Sequence, residues 1–274
     1  MRPLDELDDR QLSTCMAVLT DIDDTLTTDG RLPAAAYSAL EQLALAGLKI
    51  VPITGRPAGW CDMIARFWPV AGVVGENGAF YFSYDHQARL MRQTFYASAE
   101  ERRHNRARLD KLRDRILREV PGAGIASDQL YRAADLAVDF CEDVKPLAKE
   151  QVQHILALFA EAGAVAKLSS IHVNGWFGDY DKLTMTKRMA SDILGVDLEA
   201  SRGQMVFIGD SPNDGPMFSF FPNSCGVANI RDFPEGSFPA PAYVAANRGG
   251  DGFVEIANRI LAARHSPFIK QNDV

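Results

Sequence analysis

An α/β fold on a parallel sheet, with a smaller α+β unit inserted into it, is predicted for this 274-residue chain by two observations. Near the start, short apolar runs alternate with helix-period segments in the order strand, helix, strand, helix, strand. That order is the mark of parallel strands joined by crossover helices. The alternation lapses near Tyr84 and resumes near Asp179, which brackets the insertion.

The elements follow in order. Met16 to Ile22 reads as a buried strand that ends in carboxylates. Ala34 to Ala46 reads as a helix with Tyr37, Leu40 and Leu43/Leu45 on its apolar side, stopped by Gly47. Leu48 to Ile53 is the next strand, Ala58 to Phe67 the next helix, and Gly72 to Gly75 a further strand. Within the insertion, Glu101 to Glu119 places Leu109, Leu112, Ile116 and Val120 at helical spacing. Its arginines are interspersed with Glu100, Glu101, Asp110, Asp114 and Glu119, the pattern of a solvated helix face rather than an RNA-binding surface. Leu130 to Phe140 reads as a strand, Pro146 to Glu161 as a helix, and Ala164 to Val173 as a strand. The expected division is a core of residues 1–83 and 176–274 around an insertion of residues 84–175. The core resumes with a helix at Thr184 to Leu194, a strand at Gln204 to Ile208 and a short helix at Pro212 to Phe220. Strands at Ser224 to Ala228 and Tyr243 to Ala246 precede a terminal helix at Phe253 to Ala263. Gly249-Gly250-Asp251-Gly252 is read as a turn and helix entry rather than a nucleotide loop.

Apolar residues make up 47% of the chain and charged residues 24%, a globular composition. With 36 acidic and 29 basic side chains the net charge is -7, so no general nucleic-acid footprint is present. An anionic substrate would then need a metal ion or focused positive groups at its site. No apolar run approaches the ~20 residues that span a bilayer, and the charged start lacks a signal segment. Cys15, Cys61, Cys141 and Cys225 are dispersed and expected to be reduced, which makes the cytoplasm the default location.

The chemistry concentrates at strand ends. Strand alternation sends Asp21 and Asp23 to the same side, at the edge where α/β sheets bind ligands. Gly209-Asp210-Ser211-Pro212-Asn213-Asp214 follows a second buried strand and adds two carboxylates at a turn. Hard oxygen ligands of this kind suit Mg²⁺. Thr54-Gly55-Arg56 offers a hydroxyl and turn amides for phosphate oxygens, and Lys182 offers positive charge. His172 is either a substrate contact or a structural residue.

These segments together resemble the haloacid dehalogenase (HAD) superfamily. More narrowly they look like subfamily IIB, the branch of Cof-type, sucrose-phosphate and mannosylphosphoglycerate phosphatases. The matching motifs are Asp21-Ile22-Asp23-Asp24-Thr25, Thr54-Gly55-Arg56, Lys182 and Gly209-Asp210-Ser211-Pro212-Asn213-Asp214, with Glu76-Asn77-Gly78-Ala79 before the insertion. Asp24 and Leu183 depart from glycines common at those positions. The resemblance implies a HAD-like Rossmannoid core with an inserted α+β C2 cap of the B form. It implies that Asp21 is a nucleophile forming an aspartyl-phosphate and that Asp23 is the acid/base. It assigns phosphate binding to Asp21, Thr54, Gly55 and Lys182, and Mg²⁺ to Asp21, Asp210, Asp214 and the backbone carbonyl of Asp23. Ser211 and Asn213 would support the final turn and Lys182. Asn77, Asp128, Arg132, Lys167, His172 and Asn174 are the candidates for substrate specificity. The implied activity is Mg²⁺-dependent hydrolysis of a small soluble phosphomonoester, a sugar phosphate or phosphorylated hydroxy acid. A phosphohexomutase and a non-catalytic phosphometabolite-binding regulator are the alternatives. The expected partner is a small phosphorylated metabolite, with neither nucleic acid nor membrane.

Overall fold

The computed structural model describes residues 1–169 and 171–265. A two-residue strand β1 (Arg2–Pro3) and a short helix α1 (Asp9–Ser13) open the chain. Then come β2 (Ala17–Thr20), α2 (Ala34–Leu45), β3 (Lys49–Pro52), α3 (Ala58–Phe67) and β4 (Val73–Gly75). All four residues of β2 are buried, which is why its sequence is an unbroken run rather than an alternation.

An antiparallel hairpin follows, β5 (Phe80–Asp85) and β6 (Leu90–Phe95), with β5 also paired to β4. The expected domain break near Tyr84 falls inside this hairpin. Phe80 and Phe82 stack at 4.4 Å, and Phe95 packs on Phe80 at 5.5 Å, so both strands belong to the apolar cluster of the larger unit.

The inserted unit contains α4 (Ala99–Glu119), β7 (Gly124–Ile125), β8 (Leu136–Asp139), α5 (Lys149–Glu161), β9 (Val165–Leu168) and β10 (His172–Trp176). Its strands form an antiparallel sheet in the order β7-β8-β10-β9. Leu109, Leu112 and Ile116 of α4 and Ile155, Leu158 and Phe159 of α5 cover Val138 and Val173 of that sheet. Ser98 caps α4, accepting the Glu101 amide while Glu101 Oε2 accepts the Ser98 amide at 2.8 Å.

The chain then returns through α6 (Lys182–Met189), which runs into a π-helical turn at Ala190–Leu194, and α7 (Leu198–Ser201). β11 (Met205–Gly209), α8 (Gly215–Phe220), β12 (Ser224–Gly226), β13 (Tyr243–Val244) and α9 (Gly249–His265) complete it. The main sheet is parallel throughout, in the order β1-β13-β12-β11-β2-β3. Leu40 and Leu43 of α2 with Ile256 and Ile260 of α9 pack on one face, and Met185, Met189, Phe218 and Phe221 on the other. The architecture is an α/β core with an inserted α+β unit. Because β2 and β11 are neighbours, the residues that follow them meet at one edge.

Several expected elements shift. The strand expected over Leu130 to Phe140 is a 3-10 turn at Gln129–Tyr131 followed by β8 alone, because the backbone between them is drawn to a side chain of the core. The single strand expected over Ala164 to Val173 is the antiparallel pair β9 and β10; its Ser170 lies outside the described residues. The helix expected from Thr184 begins at Lys182, where Asp181 caps the Thr184 amide at 2.7 Å. The terminal helix begins at Gly249, not Phe253. There Asn229 Oδ1 and Thr28 Oγ1 accept the Gly249 and Gly250 amides at 2.9 and 3.0 Å. Those amides are engaged within the chain, in keeping with a helix entry.

Candidate active site

The ends of β2 and β11 bring Asp21 and Asp210 together, and the 3-10 turn Pro212–Asp214 folds Asp214 back beside them. One carboxylate oxygen from each lies within 4.8 Å of the others. Gly209 permits this, since a Cβ there would stand 2.3 Å from Asp214 Oδ2. Lys182, at the first position of α6, reaches into the cluster. Its Nζ donates to Asp21 Oδ1 at 2.7 Å and to Asp214 Oδ1 at 2.8 Å. Asp214 Oδ2 accepts the Asp210 amide at 3.2 Å, and Asp210 Oδ1 accepts the Thr25 hydroxyl at 3.2 Å. The contacts to Lys182 therefore come from Asp21 and Asp214 rather than from Ser211 or Asn213. Asn213 instead approaches Asn77, with Nδ2 3.5 Å from Oδ1.

Three buried carboxylates share one ammonium, and their proton affinities show the imbalance. Burial first, then the charges of Asp214 and Asp23, pushes Asp21 up to about 7 against the pull of Lys182. Burial and the neighbouring Asp214 and Asp21 push Asp210 well above the carboxylate range. Burial works against the Lys182 ammonium, but Asp21 and Asp214 outweigh it and hold the proton more tightly than usual. A set of hard oxygens short of positive charge fits a divalent cation such as Mg²⁺. Both oxygens of Asp214 already accept hydrogen bonds, so Asp21 and Asp210 are the better placed direct ligands.

Asp23 lies nearer the solvent, its side chain 34% exposed. Arg56 grips it, with Nε 3.0 Å from both carboxylate oxygens and Nη2 2.7 Å from Oδ1. The guanidinium also stacks over Trp60, 4.5 Å from the ring centroid. Asp24 adopts φ +57°, the left-handed region, which gives a physical reason for glycine at this position in the resembled family. Thr54 is fully buried, and its hydroxyl oxygen accepts the Arg56 amide at 3.0 Å. Gly55 and Arg56, rather than Thr54, line the cavity.

That cavity has a volume of about 870 Å³ and joins the carboxylates to the inserted sheet. Of the specificity candidates, Lys167, His172, Asn174, Asn77 and Arg132 line it and Asp128 does not. Arg132 is committed elsewhere, to Asp128, Asp135 and the Gly55 carbonyl. His172 Nε2 stands 2.8 Å from Glu142 Oε2 without the alignment of a hydrogen bond. Burial lowers the proton affinity of this imidazole, Arg132 adds to the effect, and Glu142 opposes it. Arg56 and Glu76 were visible inside their motifs but carried no assigned role; nothing in a linear reading shows that their partners come from Asp23 and the inserted unit.

No family model matches the chain, and no curated protein is similar to it in sequence. Solved structures do share its fold. A Thermoplasma acidophilum protein aligns with a TM-score of 0.68 at 17% identity, over 90% of this chain and 98% of its own. A phosphatase of the HAD enzyme superfamily from Bacteroides thetaiotaomicron aligns with a TM-score of 0.59 at 18% identity, over 90% and 96%. The sucrose-phosphatase of Synechocystis, solved with sucrose and phosphate, aligns with a TM-score of 0.61 at 16% identity, over 89% and 97%. The shared architecture is HAD-like, a Rossmannoid core with an inserted α+β cap.

Proposed function

We propose that this chain is a Mg²⁺-dependent phosphatase that moves a phosphoryl group from a small soluble phosphomonoester to Asp21 and then to water. The observation that carries this reading is the cluster of Asp21, Asp210 and Asp214 around the Lys182 ammonium at the sheet edge. Mg²⁺, held by Asp21, Asp210 and the Asp23 carbonyl with Asp214 orienting its shell, would offset charge on the phosphoryl oxygens. Asp21 attacks phosphorus, forming an aspartyl-phosphate as the bond to the leaving oxygen breaks. Asp23 gives its proton to that oxygen. It then takes a proton from the water whose oxygen attacks phosphorus, which releases phosphate and restores Asp21. Lys182 and the turn at Gly55 hold the phosphoryl oxygens, Thr54 shapes that turn by accepting the Arg56 amide, and Ser211 and Asn213 shape the opposite turn.

The inserted unit acts as a C2B-type cap over the leaving group, as in the subfamily IIB phosphatases the motifs resemble. The polar cavity wall of Asn77, Lys167, His172 and Asn174 suits a sugar phosphate or phosphorylated hydroxy acid. The fold shared with a phosphatase solved with sucrose and phosphate supports the sugar-phosphate class. This reading has a cytoplasmic enzyme whose partner is a phosphorylated metabolite. Among the described residues no helix is long and apolar enough to cross a membrane.

The test is a phosphate-release screen over sugar phosphates, phosphoglycerate, phosphoglycolate and nucleotides, with and without Mg²⁺. Release is expected only with the metal, and Asp21→Asn is expected to remove it while the fold persists. Conversion without phosphate release would point to a mutase instead. Specific binding with no turnover would point to a regulator.

A further inference from the structure

The phosphatase chemistry makes no use of Glu76, although its carboxylate is fully buried. It accepts four backbone amides from two parts of the molecule. Oε1 takes the amide of Ala58, the first residue of α3, at 3.0 Å and that of Ala133 at 2.7 Å. Oε2 takes the amides of Ala134 at 2.6 Å and Asp135 at 3.1 Å. Glu76 and Asn77 reach this position in the left-handed region, at φ +43° and +56°, a costly backbone for residues with side chains.

Beside the clamp, Arg132 spans the same junction. Its Nη1 donates to Asp135 at 3.0 Å and to the Gly55 carbonyl at 3.1 Å, and its Nε donates to Asp128 at 2.9 Å. Asn174 of β10 also donates to Asp135, at 3.2 Å. We propose that Glu76 is a positioning residue whose carboxylate clamps the 132–135 turn of the cap against the core, so that Arg132 holds the phosphate-binding turn at Gly55. Arg132 then acts on the reaction through Gly55, not as a contact to the leaving group. In its kinetic arm this inference rests on the phosphatase reading.

Four N–H donors occupy the carboxylate fully, so the ionised form is the clamp. Burial first, and then the charge of Asp135, pushes Glu76 up to about 7, while the amides of Ala133 and Ala134 and the Arg132 guanidinium pull it down. Cys61 of α3 and Tyr180 after β10 are the other titratable groups that feel its charge, with Asp128 beyond Arg132. The measurements therefore belong at about pH 8, where Glu76 is ionised.

Hydrogen exchange at the amides of Ala58, Ala133, Ala134 and Asp135 reads the clamp directly, without reference to activity. In Glu76→Gln the amide NH₂ faces backbone donors, and exchange at these four positions should rise at least ~10-fold while the rest of the core keeps its protection. With p-nitrophenyl phosphate, KM and the inhibition constant of inorganic phosphate should rise together by about 10-fold, with kcat changed much less. Glu76→Asp, which keeps the charge on a shorter arm, should recover part of both effects. Unchanged protection at the four amides, or freed amides with unchanged KM and phosphate inhibition, would overturn the proposal. Should Glu76→Gln fail to fold, Arg132→Lys decides: it leaves the clamp in place but loses the guanidinium donor to the Gly55 carbonyl, so KM should rise with the amides still protected. An unchanged KM there overturns the inference. If the wild-type protein turned over no ester at all, the phosphatase reading would fall, while the exchange measurement would still decide the clamp.

Discussion

Asp23 and Arg56 form a bidentate pair at the cavity wall, and the proposed acid/base is thereby held by a group that is always charged. Arg56 keeps Asp23 in one orientation, and the Trp60 ring keeps Arg56 in its own. If Asp23 protonates the leaving oxygen, its removal should matter in proportion to how badly that oxygen needs the proton. Asp23→Asn should lower kcat/KM for an alkyl phosphate by about 10²- to 10⁴-fold. The loss on p-nitrophenyl phosphate, whose leaving group departs as a stable anion, should be much smaller. Equal losses on the two esters would remove the acid role from Asp23. At this scale the meeting of Asp21 and Asp210 was legible, because each directly follows a buried strand and the two strands are neighbours, whereas Asp23 lies in the turn beyond β2 and takes its direction from Arg56. The hydrogen bond from Lys182 to Asp214 was not, because it spans 32 residues and depends on where α6 begins.

At the scale of elements, the helices of α2, α3 and α4 were readable within a few residues, since each carries an apolar stripe of helical period. The segment 130–140 misled for a physical reason. Its apolar alternation belongs to a strand only from Leu136 onward, and the turn before it is held by Glu76, a partner some 57 residues away. The hairpin of β5 and β6 went unread because β6 faces solvent over much of its length and has little apolar signal. Glu76 also links α3 to the cap turn in a way that pH should expose. Its value is raised from the ordinary 4.5 to about 7. A carboxyl raised in the folded state contributes stability below its unfolded value, and that contribution is lost as pH rises through the folded one. For Glu76 the change is on the order of 3 kcal/mol at most between about pH 4.5 and 7. Asp21 and Asp210 shift in the same direction in the metal-free protein. Chemical denaturation without metal should therefore show stability falling across that window, with a shallower fall in Glu76→Gln. The exposed Asp85, Glu101, Glu119 and Asp232, held low by amide or arginine donors, act below the window, and His172, lowered by burial from its ordinary 6.5, opposes the fall within it in both proteins. A slope identical in the variant would mean that Glu76 titrates alike in the folded and unfolded chains.

Across the whole molecule, an acidic chain of net charge -7 gathers its useful positive charge where an anion would sit. Lys182 stands among the carboxylates and Arg56 at the cavity wall, and Lys167 of the inserted unit lines the same cavity. The plan of a parallel core interrupted by a cap was legible from the lapse in alternation, since each strand–helix pair writes its own pattern. The junction between them was not, because a clamp of backbone amides on one glutamate leaves no trace in composition or period. The proposed activity depends on one bond, between the Asp21 carboxylate and phosphorus. The direct measurement is an acid-quenched single turnover with a hydrolysed ester, followed by mass spectrometry of the peptide that contains Asp21. A phosphoryl adduct on Asp21 that forms only with Mg²⁺ and decays as phosphate appears is the predicted result. Phosphate release by Asp21→Asn at the wild-type rate, or an adduct on another residue, would contradict it.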